Sequence, residues 1–474
     1  MNERQLFETH QRRDFLRRSL AGMGTLALSE LMQGATTPTT DPLAPRAPHF
    51  APKAKNVIFL FQEGAPSQMD LFDPKPGLEK WHGQSLPPEM TKDMKLAFIK
   101  PTAKVLASPR KFARYGQSGM ELSDLLPYTS KHADDICLIR SMHSDAFNHH
   151  PGQLLLFSGH MTGGRPSMGA WATYGLGSES KNLPAFVALQ SGPGTSAGSD
   201  LWTNGFLPSM YQGTVLRSSG DPILYLSNPA GLSAASQRAR LDALRDLNTQ
   251  HLEQTGDAEI ASRIHSYELA YRMQSAGPEL TDLTKESPET LSSYGIDDKD
   301  SKQYGTNLLL ARRLVERGVR FVLVMHSGWD HHSAINSGLP KLCKQTDKPT
   351  AALLADLKQR GLLKDTLVVW GGEFGRTAMS EIRRPDEADN AGRDHHPNGY
   401  SIWLAGGGVK AGQVIGKTDE LALNITEDPI DVHDLQATIL HLLGLDHLKL
   451  TYRHMGRDFR LTDVHGNVNR KICA

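Results

Sequence analysis

Short apolar runs that end in polar loops recur along the chain. The first, NVIFLF at 56–61, is followed by a loop of Gly and Pro. Two more, RFVLVMHSGWD at 320–330 and TLVVWGGEFGRT at 366–377, end in acidic and basic residues. Continuous apolar runs of this length are typical of strands buried on both faces. The pattern therefore predicts parallel strands.

Segments with helical spacing of apolar residues alternate with these runs. YGTNLLLARRLVERGV (304–319) and PTAALLADLKQRGLLKD (349–365) each precede a predicted strand, and YSIWLAGGGVKAG (400–412) predicts a fourth strand. DVHDLQATILHLLGL (431–445) predicts a closing helix with Asp431 or Asp434 as its N-cap. Alternating helices and strands predict an α/β fold with a mostly parallel sheet sandwiched by helices.

The predicted domain spans residues 56–474. Within it, residues 178–300 are first rich in Gly, Ser and Pro and then polar and helical. Because the strand pattern resumes afterwards, this region is interpreted as an insertion or cap on the sheet. Residues 36–55, rich in Pro, Thr and Ala, are typical of an extended linker.

Residues 1–35 carry the pattern of a twin-arginine export signal, with Arg12-Arg13 before a modestly apolar stretch. That stretch is too short and too rich in Gly and Ser to predict a transmembrane segment. The signal predicts a partner, the twin-arginine export machinery, and a location in the periplasm or cell envelope. The alternative is a basic amphipathic helix that lies on a membrane surface.

The composition argues against nucleic-acid binding and against a metal site built from cysteines. Lys and Arg number 52 and Asp and Glu also number 52, so no basic excess favours nucleic-acid binding. The three cysteines, Cys137, Cys343 and Cys473, are far apart and form no CxxC motif. A bound metal would therefore have nitrogen and oxygen ligands.

Nine of the 20 histidines fall in three places, at 143–160, 326–332 and 395–396. The carboxyl ends of parallel strands meet at one edge of a sheet, where ligands bind. Neutral imidazole is a common metal ligand. In an extended loop, Asp330 and His332 share one face, so both could reach the same ion. The clustering predicts a metal site at this edge.

Further carboxylates stand at predicted strand ends. Glu373 ends one strand, and Asp394 precedes His395 directly, which requires a tight loop if both bind. Glu63, together with Asp70, follows the first strand and could complete a two-metal site. A ligand set of carboxylates and imidazoles suits a divalent ion, either Zn, Mn, Mg or Ca.

Basic residues near the predicted strand ends and helix starts are assigned different roles. Arg376 offers a planar fork that suits phosphate or sulfate. His149-His150 could contribute to the site, or could simply begin a helix with Pro151 in its first turn. His433 is interpreted as a helix-entry residue rather than a ligand.

Several long motifs in order carry a family resemblance. The chain resembles the exported bacterial family of domain of unknown function 1501 from about residue 12 to the C-terminus, through GAPSQMDLFDPKPG, NHHPGQ, GWDHH, GGEFGRT and GRDHHPNGYSIWLAGGGVKAG. That family is similar in fold to the alkaline phosphatase and sulfatase superfamily, whose members hydrolyse phosphate or sulfate esters on a metal-bearing sheet. The resemblance implies metal ligands at Glu63, Asp330, His332, Glu373 and His395.

The resemblance also places His149 where the superfamily has a Ser, Thr or modified Cys nucleophile at a helix start. No hydroxyl or thiol side chain stands at that position. Two mechanisms follow. Metal-activated water attacks the ester while Arg376 stabilises the developing charge, or His149 accepts the phosphoryl group or acts as general acid.

The sequence as a whole predicts an exported metal-dependent hydrolase of a small-molecule or glycan ester of phosphate or sulfate. The alternative is a catalytically degenerate superfamily member that serves as an envelope binding protein. An oxidoreductase is disfavoured because the chain has no dinucleotide fingerprint and no cysteine cluster.

Overall fold

The computed structural model describes residues 43–92, 94, 96–217, 222–223, 226–229, 231–382 and 390–474. Residues 45–474 form one compact unit. The predicted export signal and residues 36–42 of the predicted linker lie outside the described residues. Within the described part of the chain, no helix has both the length and the apolar character needed to cross a membrane.

The helices and strands follow one another along the whole unit. In chain order, the α-helices are α1 (Gln68–Leu71), α2 (Pro88–Thr91), α3 (His149–Ser158), α4 (Met168–Leu176), α5 (Ala234–Thr255), α6 (Ala258–Thr281), α7 (Pro288–Ser293), α8 (Lys302–Glu316), α9 (Ile335–Gln359) and α10 (Val432–Leu442). The strands are β1 (Asn56–Glu63), β2 (Phe112–Tyr115), β3 (Met120–Ser123), β4 (Ile136–His143), β5 (Phe186–Ser191), β6 (Thr214–Leu216), β7 (Phe321–Ser327), β8 (Thr366–Gly371), β9 (Gly375–Glu381), β10 (Gly392–His396), β11 (Asn398–Ala405), β12 (Gln413–Ile415), β13 (Lys417–Thr418), β14 (Ile425–Glu427), β15 (Ile430–Asp431), β16 (Tyr452–His454) and β17 (Arg457–Phe459).

The main sheet has the spatial order β12, β4, β11, β8, β1, β7, β5, β6, and β15 lies beside β4. β1 pairs in parallel with both β7 and β8, and β5 pairs in parallel with both β6 and β7. β11 runs antiparallel to its neighbours β4 and β8. The predicted α/β class with a mostly parallel sheet is confirmed, and the fourth predicted strand is the one that runs against the others.

The central strands are buried on both faces. All residues of β7 and β8 are buried, as are all residues of β1 except the last. Helices α4 and α8 both pack against β7. Each fully buried Val, Leu or Phe side chain contributes roughly 1.5–3 kcal/mol to stability, so this core holds the strand ends in fixed positions.

The direction of each strand decides which loops meet. Glu63, Ser327 and Gly371 end three parallel strands at one edge of the sheet. Because β11 runs the other way, its first residue, Asn398, pairs with His143 at the end of β4. The loop before β11 therefore reaches the same edge as the loops that leave the parallel strands.

Two segments of the predicted insertion over 178–300 belong to the main sheet. Residues 186–191 form β5, which pairs with β7 along its whole length, and residues 214–216 form β6 at the sheet edge. The signal was weak because these short apolar runs lie between long stretches of Gly, Ser and Pro. Helices α5 and α6 follow this pair of strands and pack against each other.

The closing helix α10 uses both acidic residues considered for its N-terminus. Asp431 is the N-cap and accepts a hydrogen bond from the backbone N–H of His433 at 2.8 Å. The Asp434 side chain accepts from the backbone N–H of Asp431 at 3.3 Å, which completes a capping box. The imidazole of His433 also contacts Asp431, with Nδ1 2.6 Å from Oδ1, so its place at the helix entry agrees with the interpretation from sequence.

Candidate metal centre

Three histidines and one aspartate come together at the carboxyl edge of the sheet. His149 is the first residue of α3, Asp330 and His332 lie in the loop after β7, and His395 lies on β10 just before β11. One potential ligand atom from each of the four lies within 4.8 Å of all the others. The structure thus brings together residues from three separate segments of the chain, and we call these four residues the imidazole cluster.

The Nε2 atoms of the three imidazoles face the same carboxylate oxygen. Oδ1 of Asp330 is 2.9 Å from Nε2 of His332, 3.1 Å from Nε2 of His149 and 3.6 Å from Nε2 of His395. Nε2 of His332 and Nε2 of His395 are 3.0 Å apart. The side chains of Asp330 and His332 do share a face, as an extended loop predicts.

In His149 and His332 the other ring nitrogen, Nδ1, forms a hydrogen bond with a carboxylate. Nδ1 of His149 lies 2.5 Å from Oε1 of Glu373, and Nδ1 of His332 forms a short hydrogen bond with Oε2 of Glu381. When Nδ1–H donates to a carboxylate, the lone pair of the neutral ring is on Nε2. Both rings are therefore oriented to present Nε2 to the centre of the cluster.

His395 is oriented by a main-chain group. Its Nδ1 lies 2.7 Å from the carbonyl oxygen of Phe147, and a carbonyl oxygen can only accept a hydrogen bond. The Nδ1 of His395 therefore donates, which leaves Nε2 as the free lone pair. This gives the third imidazole the same orientation as the other two.

The donor set fits a divalent metal ion. Ligand atoms about 2.0–2.1 Å from a tetrahedral ion stand about 3.3 Å apart. The distances from Oδ1 of Asp330 to the three Nε2 atoms, and the distance between Nε2 of His332 and Nε2 of His395, range from 2.9 to 3.6 Å. Three imidazoles with one carboxylate suit zinc or manganese, whereas magnesium and calcium prefer oxygen ligands. Of the four ions that the sequence allows, this set favours the first two.

A second group of carboxylates lies beside the imidazole cluster. Gln153 donates hydrogen bonds to Glu63 at 3.1 Å and to Glu373 at 3.3 Å. Glu373 is fully buried, and its Oε2 has no hydrogen-bond partner among the described residues. Glu63, Glu373 and His149 form a second set of ligand atoms within 4.8 Å of one another. The two sets share His149.

Burial and the neighbouring charges shift the acidities in opposite directions. Burial, followed by the charge of Glu373, raises the pKa of Glu63 to about 7. Burial alone lowers the pKa of His149, but hydrogen bonds to Asp330 and Glu373 outweigh it and raise that pKa to about 9. Burial opposes the charge of Asp330, yet hydrogen bonds from the histidines hold its pKa well below its ordinary range.

The guanidinium group of Arg376 donates its hydrogen bonds to acceptors within the protein. It is completely buried, its Nε donates to the carbonyl of Ala65 at 3.0 Å, and its Nη1 donates to the carbonyl of Arg393 at 3.0 Å. Its Nη2 donates to the carbonyl of Gly64 and to Oδ1 of Asp330, the latter at 2.6 Å. This geometry does not fit the predicted oxyanion clamp. Instead, Arg376 fixes the carboxylate of Asp330.

Asp394 is also engaged by backbone groups. Its Oδ2 accepts hydrogen bonds from the backbone N–H groups of Ala97, Phe98 and Ile99 at 2.9, 2.9 and 3.2 Å, and its Oδ1 accepts from the N–H of His395 at 2.8 Å. One of its oxygens also lies within 4.8 Å of His332 and Glu381 ligand atoms. Three of these four donors share Oδ2, so the carboxylate of Asp394 anchors the backbone at 97–99, and its role as a metal ligand stays a prediction.

Asp70 lies apart from the cluster as well. Its Oδ2 is 2.9 Å from Nε of Arg393 and accepts a hydrogen bond from Ser67 at 2.5 Å. Burial opposes its ionisation, but the charge of Arg393 outweighs it and lowers the pKa of Asp70. The carboxylate of Asp70 serves a buried ion pair, and its partnership with Glu63 in a second metal site stays a prediction.

Two residues next to the cluster escaped the sequence analysis. Glu381 ends β9, which pairs with β10 outside the main sheet, so the rule about parallel strand ends does not apply to it. Phe374 is buried, and its ring centroid lies 5.0 Å from that of His149 and 4.7 Å from that of His395. The sequence of this strand, GRTAMSE, has no apolar run, so it offered no signal for Glu381.

Only part of the cluster meets solvent. The side chain of Asp330 is 40% exposed, whereas those of His332 and His395 are 10% and 2% exposed. The ring of Phe98 stands edge-on to both of these imidazoles, at 5.0 Å and 5.5 Å between centroids. The centre is thus a recessed site that opens at Asp330 beside an aromatic ring.

Solved structures similar to this chain include three bacterial proteins. The lipoteichoic acid synthase LtaP from Listeria monocytogenes is 9% identical, with 89% of this chain and 78% of that chain covered and a TM-score of 0.37. The PsFucS1 sulfatase from Pseudoalteromonas sp. is 14% identical, with 83% of this chain and 68% of that chain covered and a TM-score of 0.33. The alkaline phosphatase from the Antarctic bacterium TAB5 is 12% identical, with 82% of this chain and 98% of that chain covered and a TM-score of 0.30. Similarity at this level does not assign a function.

No curated protein matches the chain. The family resemblance seen in the motifs is confirmed by a family profile that covers nearly the whole compact unit. With residues 54–473 matched, the chain belongs to the family described as "Protein of unknown function (DUF1501)".

Proposed function

We propose that this protein is a metal-dependent hydrolase of phosphate or sulfate esters. The observation that carries the proposal is the convergence of three Nε2 atoms on the Asp330 carboxylate in a recessed site that opens to solvent. A divalent ion bound there would act as a Lewis acid and lower the pKa of a water molecule. We propose His149, Asp330, His332 and His395 as its ligands.

The residues around these four ligands orient them and provide carboxylates that can accept a proton. Arg376 fixes Asp330, and Glu381 orients His332. Glu63 and Glu373 are the carboxylates beside His149, so they are the groups that would take up the proton from an attacking water molecule. The buried ring of Phe374 packs against the imidazoles of His149 and His395.

Water is a better candidate nucleophile than His149. One ring nitrogen of His149 is hydrogen-bonded to Glu373 and the other faces Asp330 at 3.1 Å. If Nε2 of His149 held the metal ion while Nδ1–H donates to Glu373, the ring would have no lone pair left for attack on phosphorus or sulfur. This argument favours metal-activated water over a phosphorylated His149.

The test is a hydrolysis assay on the full chain with added Zn, Mn, Mg or Ca and a panel of aryl phosphates and aryl sulfates. We expect turnover of at least one ester class with zinc or manganese, and loss of both metal and turnover in Asp330→Asn. Asp134→Asn is the matched control, because Asp134 accepts hydrogen bonds from the backbone N–H groups of Gln117 and Ser118 and stands before β4, at the edge of the sheet opposite to the cluster.

A catalytically degenerate binding protein is the second candidate. Two observations favour it. The guanidinium of Arg376 donates to main-chain carbonyls and Asp330, so it is not free to bind an anion. Position 149 has no hydroxyl or thiol side chain that could act as a nucleophile. Metal-loaded protein that binds inorganic phosphate or sulfate but hydrolyses no ester of the panel would support this alternative.

We also propose that the protein is exported to the periplasm or cell envelope by the twin-arginine machinery. The support is the pattern RRDFLRR, with Arg12-Arg13 followed by Phe15 and Leu16. Replacing both Arg12 and Arg13 by Lys should retain the protein in the cytoplasm, as cell fractionation would show. The matched control changes Arg17 and Arg18 to Lys, which alters the same number of residues outside the pair.

A further inference from the structure

A cavity of about 490 Å³ lies between two segments of the chain that are separate from the imidazole cluster. Residues 77–94 form one side of it, and residues 419–424 form the other. Pockets that bind small ligands typically enclose about 300–1,000 Å³. None of the described residues that line this cavity belongs to the imidazole cluster or to the group of Glu63 and Glu373. The cavity is therefore large enough for a ligand of its own.

Part of the cavity wall is apolar and aromatic. Leu421 and Leu423 belong to a small hydrophobic cluster of buried residues, and both line the cavity. Trp81 and Met94 pack against the same cluster but are only partly buried, and they line the cavity as well. Met90, another lining residue, is 45% exposed. Part of the indole of Trp81 is therefore open to a ligand that enters this cavity.

The loop at 419–424 is held in one shape by a single carboxylate. The side chain of Asp419 accepts hydrogen bonds from the backbone N–H groups of Leu421, Leu423 and Asn424 at 3.1, 2.9 and 2.9 Å. The backbone N–H of Asp419 donates in turn to the carbonyl of Asn424 at 2.9 Å. This side of the cavity is therefore formed before a ligand arrives, which lowers the entropic cost of binding.

The charged groups of the cavity are mostly acidic. Three carboxylates, on Glu89, Asp419 and Glu420, and one ammonium group, on Lys80, line it. The side chains of Glu89, Glu420 and Lys80 are exposed, and none of them has an ion-pair partner among the described residues. A cation is attracted to the face of an aromatic ring, and tryptophan is the strongest such partner. The excess of carboxylates beside Trp81 therefore favours a positively charged ligand.

We infer that this cavity binds a small organic cation, namely an ammonium group on an apolar body. The indole of Trp81 and the carboxylates of Glu89 and Glu420 attract the ammonium group, and Leu421 and Leu423 contact the apolar body. A quaternary ammonium group suits this combination, because an aromatic ring recognises it without hydrogen bonds. The inference goes beyond the proposed function and does not depend on it.

Calorimetric titration of the full chain tests the inference with a matched pair of probes. Choline and 3,3-dimethylbutan-1-ol have nearly the same shape, but only choline is charged. We expect the wild type to bind choline about tenfold more tightly than the alcohol. Benzyltrimethylammonium, which adds an apolar ring, should bind more tightly than choline. High salt should weaken the binding of choline and leave that of the alcohol unchanged, because salt screens the exposed carboxylates.

Variants of the cavity assign the preference to its residues. The double change Glu89→Gln with Glu420→Gln should remove most of the preference for choline over the alcohol. Trp81→Leu should weaken choline binding roughly tenfold, whereas Trp81→Phe keeps an aromatic ring and should retain most of the affinity. Glu279→Gln, which changes an exposed carboxylate on α6, is the matched control. Asp330→Asn should also leave choline binding unchanged, which separates this cavity from the imidazole cluster.

The outcomes that would overturn the inference are distinct. It fails if the wild type binds choline and the alcohol equally, or binds neither choline nor benzyltrimethylammonium. It also fails if the double variant and Trp81→Leu keep the wild-type preference, because the cation would then bind elsewhere. None of these results affects the proposed hydrolase activity. Glu89 and Glu420 are exposed, so the double variant should fold normally, and an unchanged circular dichroism spectrum would verify this.

Discussion

Nδ1 of His149 lies 2.5 Å from Oε1 of Glu373, and this contact determines which of the two ligand sets His149 can serve. A neutral imidazole has one lone pair, and here the hydrogen bond to Glu373 leaves it on Nε2, which faces Asp330 at 3.1 Å. His149 therefore belongs to the imidazole cluster. The group of Glu63 and Glu373 keeps only oxygen ligands.

This division predicts one tightly bound ion per chain. Asp330→Asn removes the charged member of the imidazole cluster and should lose that ion, whereas Glu63→Gln, outside the cluster, should retain it. Elemental analysis of the purified proteins measures the difference. Two ions in the wild type, or loss of the ion in Glu63→Gln, would show that the carboxylate group binds metal strongly on its own.

Metal affinity should rise with pH. Hydrogen bonds to Asp330 and Glu373 outweigh burial and raise the pKa of His149 to about 9 in the metal-free protein. Below that pH the ring is protonated and a metal ion must displace the proton, so affinity should increase about tenfold per pH unit up to about pH 9. Competition with a chelator at several pH values measures the slope.

Glu373→Gln is the control for this dependence. The amide oxygen can still accept the hydrogen bond from Nδ1 of His149, but the negative charge that favours the imidazolium is gone. The pH at which the affinity reaches its plateau should therefore be lower in this variant. The same plateau in both proteins would mean that Glu373 does not set the protonation of His149.

Glu381 should matter for metal binding although it is not a proposed ligand. It is buried and forms a short hydrogen bond with Nδ1 of His332. Loss of such an orienting carboxylate typically costs roughly 10–100-fold in metal affinity, and we expect Glu381→Gln to fall in this range. Glu427→Gln, which changes an exposed partner of Lys417, should leave the affinity unchanged. Equal affinities in the two variants would argue against an orienting role.

Gly64 controls how closely β1 approaches the loop that carries Asp330. Its φ is +106°, and a Cβ atom at this position would lie 2.4 Å from the backbone nitrogen of Asp330. Gly64→Ala should therefore displace Asp330, lower the melting temperature and weaken metal binding. Gly83→Ala is matched to it, because Gly83 has a φ of +75° but no atom within 4 Å of the added Cβ. It should lose some stability through backbone strain and keep its metal.

The candidate site was largely predictable where it depends on strand direction. Asp330, His332 and Glu373 follow parallel strands, so their meeting at one edge needs no knowledge of packing. His395 arrives there because β11 is antiparallel, which the apolar run alone does not reveal. A run of four to eight apolar residues has the same appearance in either direction.

The orientation of individual side chains was not predictable in this way. Arg376 has the shape of an anion clamp, but its partners come from the loop after β1, the loop after β7 and strand β10, and only folding brings these together. Asp394 is adjacent to His395, and only the folded structure shows that its oxygens bind the backbone at 97–99. Sequence indicates which groups are near the edge, and packing decides which of them face the centre.

His326 should make the protein sensitive to acid. It is buried on β7, with Nδ1 2.8 Å from Oγ of Ser191 and Nε2 3.2 Å from Oε1 of Gln345. Burial lowers its pKa from 6.5 to about 4. Between these values the unfolded chain binds a proton that the folded chain does not, so the stability present above pH 6.5 is lost as the pH falls. The loss is about 1.4 kcal/mol per pH unit.

Urea unfolding of the metal-free protein between pH 7 and pH 4.5 measures this contribution. His326→Gln removes the titrating group, so its free energy of unfolding should depend less steeply on pH by about 1.4 kcal/mol per unit in that window. Ser191→Ala removes a hydrogen-bond partner of His326 but keeps the imidazole. It should lower stability at every pH and retain the wild-type slope. If His326→Gln also retained that slope, another buried group would be responsible for the acid sensitivity, since a lost hydrogen bond alone changes the offset and leaves the proton balance as it was.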